Sequence, residues 1–169
     1  MKQLILLAVV ILGFTATSFA QLSATASVSA TIQTAITITK VNDLNFGNIY
    51  TPKIKGNVEI KAQELPNSTP TNVILGPGIG QSAKFVISGT PADKITVSLP
   101  YDLNLGIFAG TNVMSVDITP LNLTPTTNQI TLDASGLATI YVGGTLHVEA
   151  NQPAGLYTNT TGLVVNIQY

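Results

Sequence analysis

Residues 22–38 alternate between two kinds of side chain, and that alternation constrains this chain more than any other feature. Leu22, Ala24, Ala26, Val28, Ala30, Ile32, Ile36 and Ile38 fall on even positions, with Ser, Thr or Gln on most of the odd ones. A two-residue period of this length predicts one extended strand. At about 3.3 Å per residue such a strand would span roughly 56 Å. The residues that follow Ala20 would form a domain with a radius of gyration of about 15 Å, or roughly 40 Å across. The strand is longer than its own domain, so part of it is expected to pair beyond that domain's edge. Thr34 interrupts the apolar face between Ile32 and Ile36. It is read as the divide between an outgoing segment, 21–33, and a domain, 34–169.

The residues before this run predict the compartment. Met1, Lys2 and Gln3 give a short basic start, an apolar run follows over residues 4–14, and Ser18-Phe19-Ala20 supplies small residues for cleavage. This is the pattern of a secretory signal peptide, residues 1–20. The apolar run is about half of the roughly 20 residues a bilayer requires. Cleavage after Ala20 would leave Gln21 first and a mature chain without a transmembrane span. There is no cysteine, so neither a lipidated cysteine nor a disulfide contributes, and stability is expected from packing and strand pairing.

Charge is scarce, at 9% of residues against the usual quarter or so. From Gln21 onward six lysines face eight carboxylates and no arginine occurs. Such a chain offers no basic field to a phosphate backbone, and nucleic-acid binding is not expected. A polar, weakly charged surface suits close assembly with copies of itself.

The rest of the chain reads as short strands between turns. Candidates are residues 58–62, 72–75, 83–88, 94–99, 113–119, 129–132, 137–142, 145–150 and 163–169, separated by glycine- and proline-bearing segments such as Gly76-Pro77-Gly78. No helical period competes. This pattern predicts one all-β domain, an immunoglobulin-like antiparallel β-sandwich with an extended N-terminal strand. In the last strand Leu163, Val165, Ile167 and Tyr169 share a face, and no further strand follows in the sequence. That sheet is expected to keep an open edge or groove, and exposed edges are normally covered. The surplus strand, through Leu22, Ala24, Ala26, Val28, Ala30 and Ile32, is the expected cover. Supplied by a neighbouring copy, it makes a contact that does not close on itself and so builds a filament.

Candidate chemistry is thin. The single histidine, His147, shares a strand face with Thr145 and Glu149; two ligands fall short of a zinc site, and a solvated face is expected. The run from Gly76 to Gly80 lacks the Lys-Ser/Thr of a phosphate loop. Asp93, Asp102, Asp117 and Asp133 do not have the spacing of a calcium loop and are read as isolated surface charges. Asn67, Asn122 and Asn159 head glycosylation-type triplets that a chain this rich in Asn and Thr produces by chance. Phe46 is expected in the core, with Gly47 permitting a bulge or close approach. In residues 151–157 Pro153 and Gly155 predict a turn, with a positive φ at Gly155, that delivers Tyr157 into the next strand like a tyrosine corner. Catalytic, cofactor-binding and metal-binding residues are not expected.

The mature start, the Asp43-Leu44-Asn45-Phe46-Gly47-Asn48-Ile49 segment, Val142-Gly143-Gly144-Thr145-Leu146, and the tail from Asn151-Gln152-Pro153-Ala154-Gly155-Leu156-Tyr157 to Asn166-Ile167-Gln168-Tyr169 resemble the bacterial domain-of-unknown-function 4402 family. The Pro153–Tyr157 turn with its terminal strand is also similar to spore coat U and archaic chaperone-usher pilin-like subunits. These resemblances imply a secreted subunit of a bacterial surface filament, passing through the periplasm to the cell surface. Its partners would be copies of itself or related subunits, a periplasmic chaperone and outer-membrane assembly machinery. The alternative expectation is a monomeric secreted adhesin or binding module whose N-terminal strand completes its own sandwich.

Overall fold

A computed structural model describes residues 21–65, 68–99, 102–107, 112–121 and 128–169, with 102–107 and 121 as backbone only. The leader expected over residues 1–20, Asn67 and Asn122 lie outside the described residues. The chain divides into a unit that ends at Ile32 and a compact unit, Gln33–Tyr169.

The second unit is all-β, with no helix among the described residues. Its strands are β1 (Thr37–Asn42), β2 (Ile49–Tyr50), β3 (Gly56–Ile60), β4 (Thr69–Thr71), β5 (Ile74–Leu75), β6 (Ala83–Ser88) and β7 (Lys94–Ser98). They continue as β8 (Asp102–Ile107), β9 (Val113–Leu121), β10 (Gln129–Thr131), β11 (Leu137–Val148), β12 (Tyr157–Thr158) and β13 (Asn166–Gln168). A large sheet runs β1-β6-β11-β9-β8-β12, with β3 on β11 and β4 on β3; a second sheet is β10-β7-β13, and β2 pairs with β5. Every pairing is antiparallel.

Strand alternation builds the core. Ala83, Phe85 and Ile87 on β6 are buried, while Lys84, Val86 and Ser88 between them are half-buried. Ile140, Val142, Leu146 and Val148 of β11 and Met114, Val116 and Ile118 of β9 continue that layer, and Ile95 and Val97 of β7 belong to the same apolar cluster from the second sheet. Each fully buried Ile or Val contributes about 1.5–3 kcal/mol over its exposed state.

Three expectations are corrected. Residues 21–36 form no strand, and regular pairing begins at Thr37 opposite Ser88. Alternation alone does not make a strand, because a strand needs a neighbouring strand to pair with and none among the described residues pairs with these. The strands expected at 137–142 and 145–150 are one, β11, with Gly143-Gly144 in its middle. A Cβ at Gly143 would collide with the Ile60 carbonyl oxygen and come 2.7 Å from the Ala62 nitrogen. The glycines let β11 exchange neighbours there, from β6 to β3, and do not end it. The last strand covers only 166–168, since Val164 N donates to Gly162 O in a turn just before it.

Candidate functional site

The terminal strand lies at an open edge. β13 pairs with β7 through Asn166↔Ser98, Ile167↔Val97 and Gln168↔Thr96, and its other edge has no strand partner among the described residues. β1 is likewise the outer strand of the large sheet. Tyr169 Oη donates to the Thr34 carbonyl oxygen at 2.7 Å, which ties the end of β13 to the chain entering β1. At the opposite ends of these strands, Lys40 and Asn42 from β1 and Leu163 ahead of β13 line one cleft. The two open edges therefore run antiparallel.

That cleft has a volume of about 830 Å³. Its floor is the core itself: Ala83 and Phe85 of β6, Met114 and Val116 of β9, Leu146 and Val148 of β11. Its rim carries apolar side chains in solvent, with Tyr50 59%, Ile79 72% and Leu156 73% exposed. Lys40 pairs with Asp43 at 2.6 Å beside it. Both partners are exposed, and such surface pairs contribute about 0–1 kcal/mol. A groove with an apolar floor and two open sheet edges can take an extended segment, with main-chain bonds along the edge and small side chains into the floor.

The four expected acceptor residues behave differently. Leu163, Val165 and Ile167 are half-buried against the core and Val164, Asn166 and Gln168 are exposed, so burial alternates over residues 163–168 although only 166–168 are strand. Tyr169 is exposed and acts through its hydroxyl. The six expected donor residues, Leu22, Ala24, Ala26, Val28, Ala30 and Ile32, are all exposed in their own unit; Leu22 reaches 96%, Val28 97% and Ile32 97%. The floor residues were visible in the sequence only as core positions, because alternation reveals which face turns inward and not whether anything covers it.

Two motifs support the cleft. Asn45 bridges Gln81, its Oδ1 accepts from Gly47 N at 2.8 Å, and Gly47 takes a φ of 77°, which seats Phe46 in the cleft wall. Tyr157 Oη donates to Pro153 O at 2.8 Å and accepts from Gln152 Nε2 at 2.7 Å, the corner expected from its sequence. The left-handed residue of that corner is Asn151, with φ 56°, and not Gly155. Asn tolerates this conformation because its short polar side chain interacts locally. The loop over residues 76–80 is tied to its neighbours: Asn48 Nδ2 donates to Pro77 O, and Gly80 N donates to Ser68 Oγ.

The polar groups read earlier find mostly structural partners. His147 is held between Asn57 Oδ1 at 3.0 Å and Asp117 Oδ2 at 2.9 Å, while Glu149 pairs with Lys55. No group of three or more metal-ligating side chains occurs among the described residues. Asp133 Oδ1 accepts from Ser135 N and Leu137 N and closes the turn into β11. Asp93 is half-buried, not a surface charge, and its Oδ2 is shielded from solvent without a hydrogen-bond partner among the described residues. The Asp102 side chain lies outside the described residues. Asn159 Oδ1 accepts from Thr161 N at 3.1 Å. Lys84 donates to Glu64 at 3.0 Å and lies over the Tyr141 ring at 5.5 Å. The hydrogen bond from Lys84, then its charge, hold the Glu64 carboxyl below the usual carboxylate range; the same bond to Glu64, then Tyr141, raises Lys84.

No helix among the described residues is long and apolar enough to cross a membrane. No curated protein and no solved structure matches the chain. The family described as Domain of unknown function (DUF4402) matches residues 36–169, most of the chain, and the protein belongs to that family.

Proposed function

We propose that this protein is a secreted structural subunit of a bacterial cell-surface filament, joined by insertion of residues 22–33 into the open edge of the next copy. One observation carries the reading: β13 has a free edge and the chain leading into it lines, through Leu163, a cleft floored by core residues, in a chain whose exposed extension has the matching two-residue period. The small alternate side chains of Ala24, Ala26, Val28 and Ala30 suit shallow pockets, and Leu22 and Ile32 flank them.

The alternative, a monomeric adhesin or binding module completed by its own strand, requires the chain to reverse just ahead of β1. Residues 29–36 contain no Gly, Pro, Asn or Asp, the residues that tight hairpin reversals use. A neighbour's strand meets no such obstacle. Export by the leader, a chaperone and outer-membrane machinery complete the proposal as its cellular route.

The test is polymerisation of the mature chain with and without residues 21–33, together with Val28→Asp. Removal of the segment should leave a soluble subunit that a synthetic 21–33 peptide stabilises. The aspartate should block assembly, because an unpaired charge is costly to bury. Normal filaments from the Val28→Asp chain would sink the proposal, and a chain that stays monomeric but unfolds on deletion would establish self-completion.

A further inference from the structure

The cleft and the exit of the extension lie at opposite ends of the same two strands, and the chain between extension and body has almost no slack. Thr34 is bonded to Tyr169 of its own body. With residues 22–33 engaged in a neighbour, no free residue separates the inserted strand from that anchored point. Even if the Tyr169 bond broke, only Thr34, Ala35 and Ile36 precede β1, a reach of roughly 10 Å. A donor's body must then rest directly on the acceptor.

Which end it rests on follows from the same geometry. The acceptor's own extension leaves at its Thr34–Tyr169 end, so a second body placed there would meet departing chain. At the other end the cleft is open and ringed by Tyr50, Ile79 and Leu156, each more than half exposed. Ile74, the cross-strand partner of Tyr50, adds a fourth group at 71% exposure. The exit end of the body carries apolar surface of its own in Tyr169, 57% exposed, and Leu137, 43% exposed, whose partner Ser88 pairs with Thr37 of β1.

We propose that the cleft rim formed by Tyr50, Ile79 and Leu156 is a docking face for the body of a second copy, seated by its end around Tyr169 and Leu137. The inference rests on the strand-insertion reading and adds a polarity to it. The inserted strand runs antiparallel to β13, with Ile32 at the cleft mouth and Leu22 toward Tyr169. Each body then presents a receiving end and a delivering end, and such a heterologous contact propagates without closing.

The chain has no cysteine, so introduced pairs report contacts cleanly. A chain beginning at Gln21 and carrying Ile32→Cys with Leu156→Cys is oxidised, resolved on a non-reducing gel and peptide-mapped, beside a chain with Leu22→Cys and Leu156→Cys. A disulfide requires Cα atoms within about 7 Å. The expected result is a ladder of oligomers from the first pair, about tenfold or more above the second, with the bond mapped between positions 32 and 156 of different copies. A ladder from the Leu22 pair instead, or none from either pair in protein that still forms filaments, overturns the docking face and leaves strand insertion standing. An intramolecular bond, or an unsubstituted chain that never assembles, overturns strand insertion and the docking face together.

Discussion

Tyr169 and Thr34 stand 135 residues apart and share one hydrogen bond, the tyrosine hydroxyl donating to the threonine carbonyl at 2.7 Å. The bond joins the residue that follows β13 to a residue three positions before β1. It fixes the point at which the extension leaves the body and ties the end of β13 to the chain entering β1. Packing alone does not supply this restraint, because Tyr169 is largely in solvent.

Tyr169→Phe removes the bond and little else. The expected loss is about 0.5–1.5 kcal/mol, the usual net value of one such bond, read from urea unfolding of the mature chain. Faster amide exchange confined to residues 35–38 and the last residues of β13 should accompany it. An unchanged exchange pattern would show that the bond does not hold the exit point.

Tyr157→Phe should be costlier. The hydroxyl both donates to Pro153 O and accepts from Gln152 Nε2, and Gln152 is buried at 8% exposure. Its amide would be left without that partner, and an unsatisfied buried polar group costs about 1–3 kcal/mol. Thermal unfolding of the variant checks it, and a melting temperature equal to wild type would dismiss the corner as a stabilising feature.

Much of the fold was legible because short-period alternation survives in the sequence wherever both strand faces differ. Residues 83–88 are a strand as expected, and 94–98 falls one residue short of its expectation. What misled was the meaning of small residues. Alternation at 22–36 predicted a strand where no strand among the described residues pairs with it, and Gly143-Gly144 looked like a break but is a crossing point within β11. β8 went unread because Leu103, Leu105 and Ile107 alternate with Asp102, Asn104 and Gly106, residue types that are depleted in strands and usually mark turns. The acceptor side was legible as far as its half-buried face, through Leu163, Val165 and Ile167. The cleft was not, because its floor residues Phe85, Met114 and Leu146 come from three strands and its opening depends on what fails to cover them.

Gly143→Ala tests the crossing. Its Cβ would meet backbone atoms of Ile60, Lys61 and Ala62, the last two at 2.8 and 2.7 Å, and backbone cannot yield as a flexible side chain does. Overpacking of this kind costs about 1–3 kcal/mol. Gly155→Ala is the control: Gly155 is exposed and has no positive φ, so its replacement should stay within about 0.5 kcal/mol of wild type. Equal denaturation midpoints for the two variants would mean that β11 and β3 can part at no cost.

The Glu64–Lys84 pair gives a dependence on pH whose sign is set by direction alone. Glu64 titrates below the ordinary carboxylate value because Lys84 donates a hydrogen bond to it and adds its charge. Its contribution is therefore present above the unfolded value of about 4.3 and is lost as pH falls through the lowered folded value. Lys84 is raised, by the bond to Glu64 and then by Tyr141. Its contribution is present below the unfolded value of about 10.4 and is lost as pH rises through the raised folded value. Both partners contribute fully between those limits, and the pair should weaken in high salt because Glu64 is exposed. Lys84→Met should return the Glu64 carboxyl toward the ordinary range, followed by NMR of the side-chain carboxyl carbon through an acid titration. If Glu64 titrates identically in both proteins, the lysine does not set its proton affinity and the pair is only a close approach in space.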